Sequence, residues 1–189
     1  MYEQFQNKSN KTEHKPGKTL LVKPRDSKYV DESWLALDGL VDNGVSKTEK
    51  TGSYFLTFSD ASKSEQALNQ LKQTHSDDIM VKYAYYNVFF KFTNSLEKDT
   101  SYDVVKQLHS TFVKENTNSE VLYYKLYRNK EGNYLSCGDI TLDTKEALDK
   151  LLSKEYGFKE FDLGNNMTGV FYRYDRNGSK KHNLSYKMP

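Results

Sequence analysis

The chain has few residues that could cross-link it covalently or ligate a metal. Its 189 residues include one cysteine, Cys137, which excludes an internal disulfide and a thiolate metal cluster. The histidines also lack the spacing of a metal or hydrolase motif; they are His14, His75, His109 and His182. We therefore expect a non-catalytic protein with no metal and no small-molecule cofactor. Cys137 is interpreted as a buried small residue and the histidines as solvated rings.

Long hydrophobic runs are missing as well. No apolar stretch approaches the roughly 18 residues that cross a bilayer, and residues 1–18 are polar where a secretory signal would be apolar. The sequence thus predicts no membrane association and an intracellular location, cytoplasmic or nuclear. What the chain does have is aromatic: 15 Tyr and 10 Phe supply large side chains for a packed core.

Basic charge is concentrated toward the two ends of the sequence. Residues 1–18 carry a net charge of +2 and residues 176–189 carry +4, so the intervening residues carry −4. We expect a disordered tail over 1–17 and a basic tail over 176–189, in which Lys180 and Lys181 are candidate contacts to phosphate. The alternative is that these segments only solubilise the protein.

Strand and helix signals alternate through residues 18–85. Apolar or aromatic runs predict strands at 19–23, 52–58 and 79–85. Residues 31–41 place large apolar side chains on one helical face and predict a helix that Gly44 ends; these side chains are Trp34, Leu37, Leu40 and Val41. The spacing of Ser62 and Glu65 is that of a capping box and predicts the start of a second helix.

The same order of signals returns in residues 86–175. Strands are predicted at 88–92, 121–128, 134–142 and 169–174, with a hairpin connection at 129–133. A capping-box spacing at 100–103 precedes a helical stripe of Val104, Val105, Leu108 and Phe112. A second helix is predicted over 144–153. Residues 155–166 are extra and suit an additional hairpin before the last strand.

The two passages also share a local motif. In each, a strand and a turn precede Ala-Leu-x-x-Leu, beginning at Ala67 and at Ala147. A repeated βαββαβ order predicts an α+β fold of two tandem ferredoxin-like domains, 18–85 and 86–175, each with a four-stranded antiparallel sheet and two helices on one face. Only Tyr86 and Asn87 lie between the predicted last strand of the first domain and the predicted first strand of the second, so we expect the two domains to hold a fixed relation.

The first domain resembles an RNA recognition motif. Residues 50–58 are similar to the family's third-strand octamer, with Gly52, Phe55 and Leu56 at matching places. Leu21 lies at the exposed position of a first-strand hexamer that also contains Lys23. Strand alternation places Phe55 on the open face of the sheet, which is the face that binds single-stranded RNA in this family.

The second domain resembles the same family through other residues. Phe89 occupies the aromatic first-strand position and Lys91 lies on the same face. On the third strand Cys137 and Asp139 stand where stacking aromatics belong. The neighbouring strand compensates by presenting Tyr123, Lys125 and Tyr127, and Arg173 of the last strand is a further candidate contact to phosphate or base edges.

The resemblance covers residues 18–175 and implies a non-catalytic protein that binds single-stranded RNA. Bases would stack on the aromatic residues, while lysines and the basic tail would contact phosphate. The alternative is a protein-interaction adaptor or an assembly subunit of a ribonucleoprotein or viral complex, which uses the same faces for a protein partner. Binding of RNA that weakens with salt would favour the first reading over the second.

Overall fold

The structure is a computed structural model, whose described residues form two antiparallel sheets and three α-helices. The structure describes residues 15–26, 32–97, 99–152 and 158–173. Lys180 and Lys181, and most of both predicted tails, lie outside these residues.

The first sheet has four strands in the order β2-β3-β1-β4. The strands are β1 (Thr19–Pro24), β2 (Leu40–Thr48), β3 (Ser53–Phe58) and β4 (Ile79–Tyr83). Helix α1 (Ala61–Thr74) joins β3 to β4 and covers one face. On β3 the alternate residues Tyr54, Leu56 and Phe58 are buried against this side, as a strand with one covered face requires.

The second sheet has five strands in the order β6-β7-β5-β9-β8. The strands are β5 (Tyr86–Phe92), β6 (Val121–Arg128), β7 (Tyr134–Leu142), β8 (Phe158–Asp162) and β9 (Thr168–Arg173). Helices α2 (Tyr102–Thr117) and α3 (Lys145–Leu151) pack on one face. The additional hairpin predicted before the last strand is wrong in form: the described part of that segment supplies one extra strand, β8, which forms a hairpin with the last strand, β9.

The predicted fold class is confirmed: the protein is an α+β chain with two ferredoxin-like sheets in tandem. Among the described residues, each sheet is packed with helix on one side only, and its other face is open. The second sheet differs from the predicted four strands through the edge strand β8, which widens its open face.

The helix predicted over residues 31–41 is wrong. Residues Glu32–Leu35 form only a 3-10 turn, and Leu40 and Val41 begin strand β2. The chain turns at Gly39, which has a φ of +83°; glycine adopts this left-handed region without the penalty a Cβ brings. Trp34 is buried in the first core and packs edge-on against Tyr54, with 5.0 Å between ring centroids. One indole thus covers the core where a helix was expected.

The capping prediction for α1 is corrected by two residues. Asp60, not Ser62, is the N-cap, and its carboxylate accepts a hydrogen bond of 2.9 Å from the backbone N–H of Lys63. This hydrogen bond, with a second from the Ser59 hydroxyl, lowers the pKa of Asp60. An aspartate at this position satisfies an otherwise unpaired helical N–H and suits the positive end of the helix dipole.

The buried stripe of α2 also differs from the prediction. Val105, His109 and Val113 are fully buried, whereas Val104 is 49% exposed. Phe112 is part-buried and packs against the core, and Leu108 is part-buried. The interpretation of His109 as a solvated ring is therefore wrong, since the imidazole lies among the rings of the second core.

The two sheets are joined by only Ala84 and Tyr85, because β5 begins at Tyr86. Ala84 is buried, and its N–H donates to the Thr19 carbonyl at 2.9 Å. The Thr19 hydroxyl reaches across to the second sheet and donates to the Asp143 carbonyl at 2.9 Å. Gly17, assigned to the N-terminal tail by the sequence, is buried at this junction and accepts a hydrogen bond from Ser64.

Candidate nucleic-acid interface

The open face of the second sheet carries a row of side chains that crosses all five strands. Cross-strand register places Lys125 opposite Asp139, Asp139 opposite Phe89, Phe89 opposite Tyr172, and Tyr172 opposite Phe158. Residues directly opposite in antiparallel strands bring their side chains within contact distance. We call this set, together with Tyr127, the ring row.

Four aromatic rings of the ring row contact one another in series. The centroid distances are 6.3 Å from Tyr127 to Phe89, 6.1 Å from Phe89 to Tyr172, and 6.5 Å from Tyr172 to Phe158. The ring planes are inclined by 35° to 42°, within the range in which aromatic pairs attract. All four side chains are part-exposed, so the rings form one continuous aromatic surface on the open face.

Lysines flank the aromatic surface. Lys125 is exposed and its Nζ lies 5.2 Å from the Tyr127 ring centroid, within cation–π distance. Lys91 is exposed in the next row along β5, between Cys137 of β7 and Val170 of β9. Aromatic surface with cations at its border is the arrangement that single-stranded nucleic acids bind by stacking and phosphate contact.

Asp139 is the acidic member of the ring row. The Tyr127 hydroxyl donates a hydrogen bond to its Oδ2. Burial raises the pKa of Asp139, while this hydrogen bond and the charge of Lys125 act in the opposite direction. The sequence identified Asp139 as a departure from the aromatic pattern, and the structure places it beside Phe89 at the centre of the face.

The predicted site residues are only partly brought together. Phe89, Lys91, Lys125 and Tyr127 share one face, and Tyr123 lies on that face one row away, opposite Thr141. Arg173 does not join them: it pairs with Val88, a core residue, and so belongs to the helix-covered side, where it is exposed at the strand end.

The remaining predicted residues lie on the first sheet. Phe55 and Leu21 are directly opposite each other and part-exposed, and Lys82 of β4 follows Leu21 in the same row. Lys23 is exposed one row away, opposite Met80. This face holds one aromatic ring from its central strands, and is less suited to stacking than the ring row.

Sequence reasoning missed Tyr172 and Phe158. Tyr172 alternates with the buried Phe171, which is a signal the sequence contains. Phe158 could not be placed without knowing that β8 adds to the sheet at the edge of β9. Cys137, which was expected to be buried, is part-exposed on this face, and burial raises the pKa of its thiol. A raised thiol pKa disfavours the thiolate that nucleophilic chemistry requires.

Two further geometric findings concern the described part of the chain. Among these residues, no group of three or more His, Cys, Asp or Glu side chains is arranged to hold a metal ion. No helix within the same ranges has both the length and the apolar character to span a membrane.

Comparison with known proteins gives similarities of fold. No family model matches the chain, and no curated protein matches it in sequence. Among solved structures, the C. elegans NONO-1 homodimer is similar at 14% identity and a TM-score of 0.40, over 91% of this chain and 68% of that one.

Two yeast structures are similar in the same way. The three N-terminal RNA binding domains of the splicing factor Prp24 share 10% identity at a TM-score of 0.31, over 87% of this chain and 69% of that one. The first two RRM domains of the poly(U) binding protein Pub1 share 12% identity at a TM-score of 0.29, over 80% of this chain and 96% of that one.

Proposed function

We propose that this protein is a non-catalytic RNA-binding protein whose second sheet binds single-stranded RNA across its open face. The observation that carries the proposal is the ring row, in which four part-exposed rings contact one another across the sheet. Every base has a π-face, so a continuous aromatic surface binds unpaired bases of any sequence.

Electrostatics support the same reading. Lys91 and Lys125 project from the open face on either side of the strand that carries Asp139. Phosphates between stacked bases would approach these ammonium groups, and each such contact releases counterions and makes binding weaken with salt. The basic residues 176–189, which include Lys180 and Lys181, would add to this salt dependence.

We further propose that residues 18–85 and 86–175 act as two domains with different roles. The second would supply stacking, whereas the first would contribute Phe55, Leu21 and Lys23 as a smaller auxiliary surface. A protein-docking role is the second candidate function. The observation in its favour is Met80, which is 48% exposed on the open face of the first sheet and lies in the row that also contains Lys23.

The substitution Phe89→Leu tests RNA binding directly. Leucine keeps apolar bulk between Tyr127 and Tyr172 but removes the π-face on which a base would stack. We expect the affinity for mixed-sequence single-stranded RNA to fall by about 1 to 3 kcal/mol. Fluorescence anisotropy at several salt concentrations would measure the affinity and its salt slope.

The matched control is Val104→Ala, which trims an exposed apolar residue of α2 on the opposite side of the sheet. This variant should bind RNA like the unmodified protein. Equal affinities for the Phe89→Leu and unmodified proteins would contradict the proposal. Undetectable RNA binding at roughly 50 mM salt, where electrostatic affinity is still strong, would favour the protein-docking function instead.

A further inference from the structure

Asp139 lies where no phosphate would be accommodated. It is directly opposite Phe89 on one side and Lys125 on the other, in the middle of the surface proposed to hold bases. A carboxylate repels the phosphodiester backbone but accepts hydrogen bonds from base N–H groups. A group of this kind on a stacking surface therefore distinguishes between bases and does not add general affinity.

The hydrogen bonding of Asp139 is incomplete. Its Oδ2 accepts from the Tyr127 hydroxyl, whereas its Oδ1 is shielded from solvent and has no hydrogen-bond partner among the described residues. An acceptor in this state is satisfied when a ligand supplies a donor. The residue as a whole is only part-buried, so a base edge can approach the carboxylate from the open face. The terminal χ2 torsion of aspartate is broad, so it permits a rotation that turns Oδ1 toward that edge.

We propose that Asp139 reads the base stacked on Phe89 and selects guanine, through the two adjacent donors of its Watson–Crick edge, N1–H and the N2 amino group. This inference rests on the proposed RNA binding of the same face. Two parallel donors match the two oxygens of a carboxylate. Adenine and cytosine offer one amino group on that edge, and uracil offers one N–H between two carbonyl oxygens that the carboxylate repels.

Tyr127 is part of the same arrangement. Its ring lies 6.3 Å from that of Phe89, and its hydroxyl donates to Oδ2. The base on Phe89 is thus bordered by a residue that also hydrogen-bonds the reading group. The Nζ of Lys125 lies 5.2 Å from the centroid of the Tyr127 ring, so Lys125 is placed to contact the adjoining phosphate.

The test compares hexamers of single-stranded RNA on the full-length protein and on Asp139→Asn. The hexamers are U6, A6, C6 and a set of uridine hexamers with one guanine at each position in turn. For the unmodified protein we expect the best guanine hexamer to bind about tenfold tighter than U6, as one bidentate base contact provides. Asparagine presents one donor and one acceptor, so Asp139→Asn should reduce this ratio to within about twofold, mainly by improving U6 binding.

The matched control is Glu160→Gln. Glu160 is exposed on β8 and pairs with Val170, on the same open face but outside the ring row. Its neutralisation removes the same charge and should raise the affinity for all hexamers alike, with the guanine ratio unchanged. Thermal unfolding of both variants would verify that each remains folded, which is expected because asparagine and glutamine preserve side-chain shape.

The outcomes separate the inference from the proposed function. An unchanged guanine ratio in Asp139→Asn, or no guanine preference in the unmodified protein, would overturn the inference while RNA binding stands. Failure of every hexamer to bind would overturn RNA binding and the assignment with it. A third outcome is that a peptide containing arginine or methyllysine binds instead and that Asp139→Asn abolishes this binding. That result would assign the carboxylate to a protein partner and overturn the guanine assignment.

Discussion

His109 is the buried residue with the clearest consequence for pH. Its Nδ1 lies 3.2 Å from the Val105 carbonyl and 3.2 Å from the Tyr124 hydroxyl, and its Nε2 has no hydrogen-bond partner among the described residues. The ring is packed among Phe90, Phe161 and other aromatics. Burial lowers the pKa of His109 from 6.5 to about 3, so the imidazole is neutral in the folded protein.

This lowered pKa makes stability depend on pH. Below pH 6.5 the unfolded chain binds a proton at His109 that the folded protein does not. The free energy of unfolding therefore decreases as the pH is lowered. The contribution is complete above pH 6.5 and is lost progressively toward pH 3, by up to about 1.4 kcal/mol per pH unit. Urea unfolding of the unmodified protein and of His109→Leu at pH 7.5, 6 and 5 would measure it. The variant should lose less stability over this range, and parallel pH profiles would contradict the assignment.

At the scale of elements, the N-caps of the two helices that pack on the second sheet can be compared. The Thr144 hydroxyl accepts a hydrogen bond of 3.2 Å from the backbone N–H of Ala147 and begins α3. Ser101 is the N-cap of α2 but makes no side-chain hydrogen bond to its helix. We expect Thr144→Ala to lower the free energy of unfolding by about 1 kcal/mol. Ser101→Ala should leave the free energy of unfolding almost unchanged. If chemical denaturation gave equal losses for the two variants, the side-chain cap hydrogen bond would not be what stabilises the start of α3.

Elements with one covered face were predictable from sequence. The strands that became β6 and β7 were predicted to the residue, because alternation of buried and exposed side chains is visible in Leu122, Tyr124 and Leu126. The same alternation identified Phe89, Lys91 and Tyr127 as open-face residues. The periodicity of a strand indicates which face each residue lies on. These three residues of the candidate site could therefore be predicted from sequence periodicity alone.

The errors have physical causes. A helical pattern at residues 31–41 was not realised because Gly39 turns the chain and Trp34 fills the core from a single turn. The predicted buried face of α2 was wrong because a histidine, His109, occupies the central buried position of the helix. Phe158 was missed since no local pattern specifies which edge a fifth strand joins. Tertiary packing decided each case, and it is not encoded in a window of ten residues.

At the scale of the whole molecule, the junction between the sheets is short and hydrogen-bonded. Two residues, Ala84 and Tyr85, connect β4 to β5, and the ring of Tyr85 lies 6.1 Å from that of Tyr83. Thr19 is fully buried, and its hydroxyl donates to the carbonyl of Asp143 in the second half of the chain. The Asp143 carboxylate in turn accepts from the Ser119 hydroxyl, so a buried polar contact extends from β1 to the start of β6.

Such a junction should hold the two sheets in one orientation. A buried hydrogen bond is costly to open, and a two-residue connection leaves little freedom for independent rotation. We expect backbone amides of both halves to report one shared rotational correlation time in NMR relaxation.

Insertion of a six-residue Gly-Ser segment between Ala84 and Tyr85 alone should leave this shared correlation time nearly unchanged, because the Thr19 contact remains. Combined with Thr19→Val, which removes the donor hydroxyl at nearly constant volume, the insertion should give two shorter times. Distinct correlation times in the unmodified protein would show that the sheets move separately and that the contact at Asp143 does not fix them.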